Sequence, residues 1–186
     1  MGADIEQLIC DKLVDMMEGT RFQDIRITDF AKFAGISRST FYLHFNSLNE
    51  VLQEVEDSYF AGMPPEDETI EVIRSRRMVE VNSRFAHKVD YLERNKRTLR
   101  ILLGPNGDPT FEGQLIERYM RLSRESWAEA SDVGPERAEL LAEYASAGQV
   151  QALKWWVSNE PGMDLIDLLL TMDRYCIALL NATDEA

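Results

Sequence analysis

ITDFAKFAGISRSTFYLHFNSLNEVL, residues 27–52, contains the most informative pattern in this sequence. Thr28 is well placed to cap a short first helix, TDFAKFA, and Ser37 to cap a second, RSTFYLHF. Gly35 between them takes a left-handed conformation at little cost. Two helices of about two turns, joined by so tight a turn, predict a helix-turn-helix, whose second helix enters the DNA major groove.

The second helix of this motif is predicted to have an inner and an outer face. A step of about 100° per residue puts Phe41 and Phe45 on one side, toward the first helix. Four residues point away from that core: Ser39, Thr40, Leu43 and His44. Small and hydrogen-bonding groups on an outer face suit a helix that lies in the major groove. The alternative is a pair of ordinary short surface helices.

The rest of the chain also shows helical periodicity, without sustained strand alternation. Helices are expected over about 4–18, 48–60, 69 onward, 96–103, 110–130, 135–159 and 163–181. Ser47 with Glu50 forms a capping box for the second of these. GMPPEDE, residues 62–68, is the clearest break. We therefore predict an all-α chain with a DNA-binding domain at 1–48, a connecting helix at about 48–60, and a helical domain at 61–186.

The composition and the motifs of the sequence limit the classes of function that this chain can have. The net charge is −13, which disfavours nucleic acid, yet residues 20–48 carry four basic against two acidic residues. Cys10 and Cys176 make no metal or redox spacing, and no apolar run is long enough to span a membrane. There is no Gly-rich nucleotide loop, nucleophile elbow or metal-ligand spacing. We expect a cytoplasmic protein that is not an enzyme and has no metal or cofactor.

The helix-turn-helix resembles that of the TetR family of transcription regulators. The matching residues are Phe22, Ile25, Ile27-Thr28, Ala31, Ala34-Gly35, Ser37, Thr40-Phe41-Tyr42, His44-Phe45 and Leu52. The later stretch SAGQVQALKWWVSNEPGMDLIDLL resembles the last two helices of a common subgroup. The resemblance covers residues 5–60 well and roughly 140–180 more loosely.

The resemblance implies a role in DNA binding for nine residues. Thr28 offers its hydroxyl and nearby amides to a phosphate. Ser37, Arg38 and Ser39 lie at the front of the recognition helix, where Arg38 reaches guanine or is an unpaired surface arginine. Thr40, Tyr42 and His44 match phosphate-contacting positions, and Leu43 meets a thymine methyl. Family members usually carry Lys where this chain has Leu48, and Asn46 replaces part of that contact without supplying charge.

The resemblance further implies a C-terminal domain that dimerises and holds an effector pocket. The last helix is apolar around most of its circumference, which favours a covered, four-helix interface, although internal packing is the alternative. The predicted interface comprises Gly148, Gln151, Ala152, Trp155, Trp156, Leu165, Leu169, Met172, Cys176 and Leu180. Candidate pocket residues, which are equally consistent with core packing, are Phe85, Leu102, Phe111, Tyr119, Trp127 and Tyr144.

These features together predict a homodimer that binds a palindromic double-stranded operator. Repression, with release by a small-molecule effector, is expected from the resemblance alone. Two alternatives remain open: a transcription activator, and a helical adaptor of the same fold that has lost DNA binding. The unusual Leu48 and the negative charge favour the adaptor.

Overall fold

The computed structural model describes residues 2–64, 83–130, 134–159 and 163–183. Nine α-helices and one 3-10 turn account for most of them. They are α1 Gly2–Met17, a 3-10 turn at Phe22–Asp24, α2 Ile27–Ala34, α3 Arg38–His44, α4 Leu48–Gly62, α5 Ser83–Arg94, α6 Lys96–Leu102, α7 Pro109–Ala130, α8 Pro135–Ser158 and α9 Leu165–Thr183. The described ranges contain no strand, and the predicted all-α fold is confirmed. Most of the predicted linker (65–68) and the first part of the helix expected after it (69–82) lie outside the described residues.

The chain divides into two compact units. The N-terminal unit comprises Met1–Met63 together with Arg97–Phe111, and the C-terminal unit comprises Pro64–Lys96 with Glu112–Ala186. The sequence suggested a single domain boundary near residue 61. In the structure, residues 97–111 also belong to the N-terminal unit, so the chain passes between the two units more than once.

The core of the N-terminal unit forms where α1, α2, α3 and α4 pack together. Ile9, Leu13 and Met17, spaced along one face of α1, are fully buried. Phe41 of α3 is also fully buried, and its ring meets that of Phe30 edge-on, with 5.9 Å between centroids. This arrangement confirms the predicted inner face of α3, and it leaves the opposite face of that helix for solvent.

The turn before α3 and the start of α3 follow the sequence expectation. Gly35 ends α2 with φ 71°, in the left-handed region that favours glycine. Ser37 caps α3, because its Oγ accepts a hydrogen bond from the Thr40 backbone N–H at 2.9 Å. These two local interactions fix where α3 begins.

The predicted capping box of α4 is formed in an altered way. Ser47 Oγ accepts from the Glu50 N–H at 3.2 Å, as expected. The carboxylate of Glu50, however, accepts from the backbone N–H of Asn46 at 2.6 Å and from Asn46 Nδ2 at 3.0 Å. One of the two N–H groups of the side-chain amide of Asn46, a predicted DNA contact, is therefore bonded to Glu50.

The predicted role of Thr28 as an N-cap is wrong. The helix begins at Ile27, and Arg26 is the N-cap, in an extended conformation and without a side-chain cap bond. The Arg26 carbonyl accepts from the N–H groups of Asp29 and Phe30 at 3.0 and 2.9 Å. Because of these bonds the helix begins before Thr28. Thr28 therefore lies within the first turn, where its side chain is exposed.

The loop after α6 closes onto the end of α1 in the N-terminal unit. Asn106 Nδ2 donates to the carbonyls of Met17 and Glu18 at 2.9 and 3.3 Å, and the Asn106 carbonyl accepts from the Phe22 N–H at 2.9 Å. Gly107 permits this path, because a Cβ there would lie 2.2 Å from the Leu102 carbonyl oxygen. The loop GPNGDP thus supplies partners for carbonyls that a helix C-terminus leaves unsatisfied.

Ion pairs join α6 to α1 in the same unit. Arg97 Nη2 lies 2.8 Å from Asp15 Oδ1, and Arg97 Nε lies 2.8 Å from Glu18 Oε1. Hydrogen bonds from Lys12 and then Arg97 lower the pKa of Asp15, while Arg97 does the same for Glu18. The two carboxylates raise the pKa of Arg97 in turn.

Arg97→Ala is expected to lower the midpoint of urea unfolding slightly at pH 7 and by a smaller amount near pH 3. Folding lowers the pKa of both carboxyls, so their stabilising contribution is present above the unfolded pKa and is lost as pH falls through the folded one. The pair is solvent-exposed, and its contribution is therefore small. Urea titrations of wild type and variant at the two pH values check this, and an equal difference at both would contradict it.

The C-terminal unit packs α8 and α9 against each other, with α5 also contacting α9. Leu153, Trp156 and Leu165 are almost fully buried in it. The Lys96 ammonium lies 4.2 Å from the centroid of the Trp156 ring, and that of Lys88 lies 5.5 Å from the Tyr119 ring. None of the helices described is both long and apolar enough to cross a membrane.

Candidate nucleic-acid interface

The outer face of α3 is the candidate interface, and it is set by the burial of Phe41. Phe41 is fully buried and Phe45 nearly so, and of the four residues predicted to point away from them, Ser39 and Leu43 are exposed. Thr40 and His44, predicted to lie on the same outer face, are half-buried, because they lie between the two faces of the helix. Leu43 is 80% exposed and Tyr42 48% exposed. An apolar side chain so exposed in the middle of a recognition helix is suited to contact with a thymine methyl.

Hydroxyl groups cluster at the front of this face. Ser37 Oγ lies 2.7 Å from Ser39 Oγ and 2.8 Å from Thr40 Oγ1. Ser37 and Ser39 are exposed, and Thr40 is half-buried. Three hydroxyls held by one cap present donors and acceptors in a fixed arrangement. Arg38, on the same turn, is exposed and adds a positive charge.

His44 closes the far end of the face and has a partner outside the motif. Its Nδ1 lies 3.2 Å from Glu6 Oε1, on α1. The imidazole is mostly buried, with 18% of the side chain exposed. The sequence analysis did not single out Glu6, because the contact joins positions 38 residues apart.

Leu48, which stands where the family usually carries Lys, is buried at the start of α4. The side chain therefore packs into the N-terminal unit and presents no group to a phosphate. Four basic residues in the surrounding segment are exposed: Arg21, Arg26, Lys32 and Arg38. The acidic Asp24 and Asp29 are exposed as well, so the positive charge of this region is modest.

The two cysteines take no part in a reactive site. Burial first, and then nearby carboxylates led by Glu54, raise the pKa of Cys10 to about 12. Burial also raises the pKa of Cys176, whose sulfur lies 3.5 Å from Gln149 Nε2. Both thiols stay protonated near neutral pH and pack as small apolar groups. Within the described ranges, no cluster of His, Cys, Asp or Glu is placed to hold a metal ion.

The structure distributes the six candidate pocket residues over both units. Leu102 and Phe111 are buried in the N-terminal unit, where the Phe111 ring lies 5.7 Å from that of Tyr59. In the C-terminal unit Tyr119 is buried, whereas Tyr144 is 67% exposed. The side chains of Phe85 and Trp127 lie outside the described part of the chain.

Five of the ten predicted interface residues face the interior of the protomer. They are Trp156, Leu165, Leu169, Met172 and Cys176, and each is buried within the single chain. Their apolar character serves the packing of the C-terminal unit, so they offer no surface to a second chain. Gly148, Gln151 and Trp155 are exposed and Ala152 is half-buried, while the side chain of Leu180 is outside the described residues.

A stripe of exposed residues runs along α8 on the side opposite its buried face. Large exposed apolar groups occur at Leu140, Tyr144 and Trp155, with Gly148 and Gln151 between them. Their spacings of three, four and seven residues keep them on one side of the helix. A Cβ added at Gly148 would meet nothing within 4 Å. We call these five residues the α8 stripe.

The C-terminal half of the chain matches a model of the TetR family. The matching model is described as a transcriptional regulator C-terminal region, and it covers residues 80–172. The chain belongs to the TetR family of transcriptional regulators. This TetR family regulator is thus a transcription factor and not an enzyme, as predicted. The class of molecule that such regulators bind is DNA.

Solved structures share the fold of this TetR family regulator over nearly its whole length. It superposes on the "Dihydroxyacetone kinase operon activator DhaS" with a TM-score of 0.62 and 17% identity, covering 95% of this chain and 96% of that one. A TetR transcriptional regulator from Streptococcus agalactiae 2603V gives a TM-score of 0.63 and 20% identity, with 94% of each chain covered. No curated protein sequence matches the chain significantly.

Proposed function

We propose that this regulator binds a palindromic operator as a homodimer, with α3 of each protomer in the major groove. The outer face of α3 is the observation that carries the proposal. It combines an exposed arginine, a fixed hydroxyl cluster and an exposed leucine on a helix anchored by Phe41. Those groups match what base edges and phosphates bind in a major groove.

Within this proposal the residues of the face divide into two kinds. Arg38 and Leu43 read base edges, guanine and a thymine methyl respectively, with Ser37 and Ser39 beside them. The remaining predicted residues contact the phosphate backbone of the DNA; they are Thr28, Thr40, Tyr42, His44 and Asn46. Thr28 serves from the first turn of α2, beside the amides of a helix start.

Arg38→Ala is expected to reduce the free energy of operator binding by about 1–3 kcal/mol. The loss should come from one base position, where the variant should discriminate less between bases. Tyr42→Phe is its matched counterpart, because it removes one exposed hydroxyl from the same helix. Loss of that hydroxyl should weaken binding to all sequences alike, since phosphate contacts carry no sequence information. Titrations of a panel of single-base operator variants check both. An unchanged base preference in Arg38→Ala would place the recognition surface elsewhere.

The α8 stripe supports dimerisation through α8. Three large apolar side chains lie exposed on one side of a 24-residue helix, around a glycine that allows close approach of a second backbone. A two-fold axis through such a stripe places the same residues opposite each other. Two recognition helices then address the two half-sites of a palindrome.

Repression by occupying a promoter is the mechanism that we propose, with release by a small molecule bound in the C-terminal unit. The effector must bind the DNA-free conformation more tightly, because equal affinity for both states shifts nothing. Activation is the second candidate, because one protein of the same fold is named an operon activator. A promoter-reporter assay with and without the regulator distinguishes the two.

Selection of bound sequences from a pool of random duplexes tests the proposal. Enrichment of one inverted repeat, with half-sites about one helical turn apart or somewhat more, is the expected result. Recovery of no common sequence would overturn sequence-specific binding. It would favour the helical adaptor, for which the buried Leu48 and the net charge of −13 are the supporting observations.

A further inference from the structure

The contact between His44 and Glu6 joins the recognition helix to α1. Nδ1 of His44 lies 3.2 Å from Oε1 of Glu6, and half of the Glu6 side chain is exposed. The contact occupies one of the two ring nitrogens of a residue that the proposed function assigns to a DNA phosphate. The proposed function therefore requires the other ring nitrogen, Nε2, for that phosphate.

The chemistry of this arrangement determines the protonation of the ring. An ionised carboxylate only accepts hydrogen bonds, so Nδ1 must carry a proton and donate it to Glu6. Phosphate oxygens likewise only accept, so Nε2 must carry a proton to bind one. Both conditions together are met by the imidazolium, which donates from each ring nitrogen.

We infer that Glu6 is a positioning residue for DNA binding. It orients the His44 ring through Nδ1, so that Nε2 donates to a backbone phosphate. The inference rests on the proposed function of α3, and Glu6 acts through His44 without touching DNA. A carboxylate near the DNA surface thus strengthens binding, although its own charge repels phosphate.

Glu6 is the charged side chain that reaches His44 from the helices around α3. α1 and α2 both pack against α3. The titratable side chains on the three helices, His44 apart, are Asp4, Glu6, Cys10, Asp11, Lys12 and Asp15 on α1, Asp29 and Lys32 on α2, and Arg38 and Tyr42 on α3. Among the described residues of these helices, Glu6 is the one whose side chain is hydrogen-bonded to the His44 ring.

Glu6→Gln tests the inference, with Asp11→Asn as its matched control. Asp11 is exposed on the same helix and accepts a hydrogen bond from Gln7 at 2.9 Å, away from α3. Each substitution removes one negative charge from α1, so general repulsion alone predicts slightly tighter binding in both. We expect Glu6→Gln to weaken operator binding about threefold per protomer, or about tenfold per dimer, at pH 7. Asp11→Asn should cause no loss.

The His44→Ala background shows whether Glu6 acts through the ring. There, Glu6→Gln should have no further effect on operator affinity. Circular dichroism establishes that each variant is folded. Binding by Glu6→Gln as tight as that by Asp11→Asn, or a loss that persists without His44, would overturn the inference.

Nuclear magnetic resonance of the imidazole nitrogens separates this inference from the proposed function. In the DNA-free protein, His44 should carry a proton on Nδ1, which donates to Glu6. A wild-type protein that prefers no DNA sequence would end both the proposed function and the role of Glu6 in it. Selective operator binding together with an unprotonated Nδ1 would overturn the role of Glu6 alone.

Discussion

Phe41→Ala is expected to lower the free energy of unfolding of the N-terminal unit by about 3–5 kcal/mol, the usual cost of removing a fully buried phenylalanine. The ring fills the space between α2 and α3, edge-on to Phe30 and 6.4 Å from Phe45. Its loss leaves a cavity under the recognition helix, and a stability change of this size is a large part of what a domain has. Urea unfolding followed by circular dichroism measures it.

Leu43→Ala is the matched control for this prediction. Leu43 is two residues away on the same short helix, but 80% of it is exposed. Its truncation should change the free energy of unfolding by no more than about 0.5 kcal/mol, while weakening the operator complex. Similar stability changes in the two variants would mean that the inner and outer faces of α3 are assigned incorrectly.

Tyr144→Arg is expected to convert the regulator into a monomer and to reduce operator affinity by at least about 100-fold. Tyr144 lies in the α8 stripe with 67% of its surface exposed, so a charge there harms the interface and not the protomer core. Without the partner, each recognition helix binds a half-site alone and loses the gain of joint binding. Analytical ultracentrifugation and operator titration measure the two effects.

Glu143→Arg controls for the added charge. Glu143 is exposed and adjacent, but about 100° around the helix from Tyr144 and therefore off the α8 stripe. This variant should remain dimeric and keep its preference for the operator over a scrambled duplex. A Tyr144→Arg protein that sediments as a dimer at micromolar concentration would show that the stripe is not the interface.

Local features of the fold could be predicted from the sequence because they depend on neighbouring residues. The left-handed Gly35 and the Ser37 cap are set within a few positions, and both appear as expected. Thr28 shows the limit of such reasoning, since several residues near a helix start can be its cap. The carbonyl of Arg26 accepts the first bonds, and the helix begins one residue before Thr28.

Contacts between distant positions could not be read from the sequence. The side chain of Asn106 donates a hydrogen bond to the carbonyl of Met17, 89 residues earlier in the chain. No pattern in the sequence indicates that the loop GPNGDP belongs to the N-terminal unit. Glu6 is likewise an ordinary exposed acid until the fold brings it to His44.

The faces of α8 and α9 illustrate a different limit. An apolar residue that packs inside a protomer and one that awaits a partner look alike in a sequence. Trp155 and Trp156 are neighbours, yet the first is half exposed and the second is buried. The sequence identified the helices correctly, but the fold was needed to show which of their apolar residues a second chain can reach.

Fluorescence anisotropy of the purified regulator with its selected operator determines whether α3 binds DNA in a sequence-specific way. A scrambled duplex of equal length serves as the reference, and each is titrated at several salt concentrations. We predict tight operator binding that weakens as salt rises, with a preference over the scrambled duplex of about 1,000-fold or more. Because Leu48 supplies no charge, the dependence on salt should be shallow. Equal and feeble binding to both duplexes at low salt would contradict the claim that α3 reads DNA.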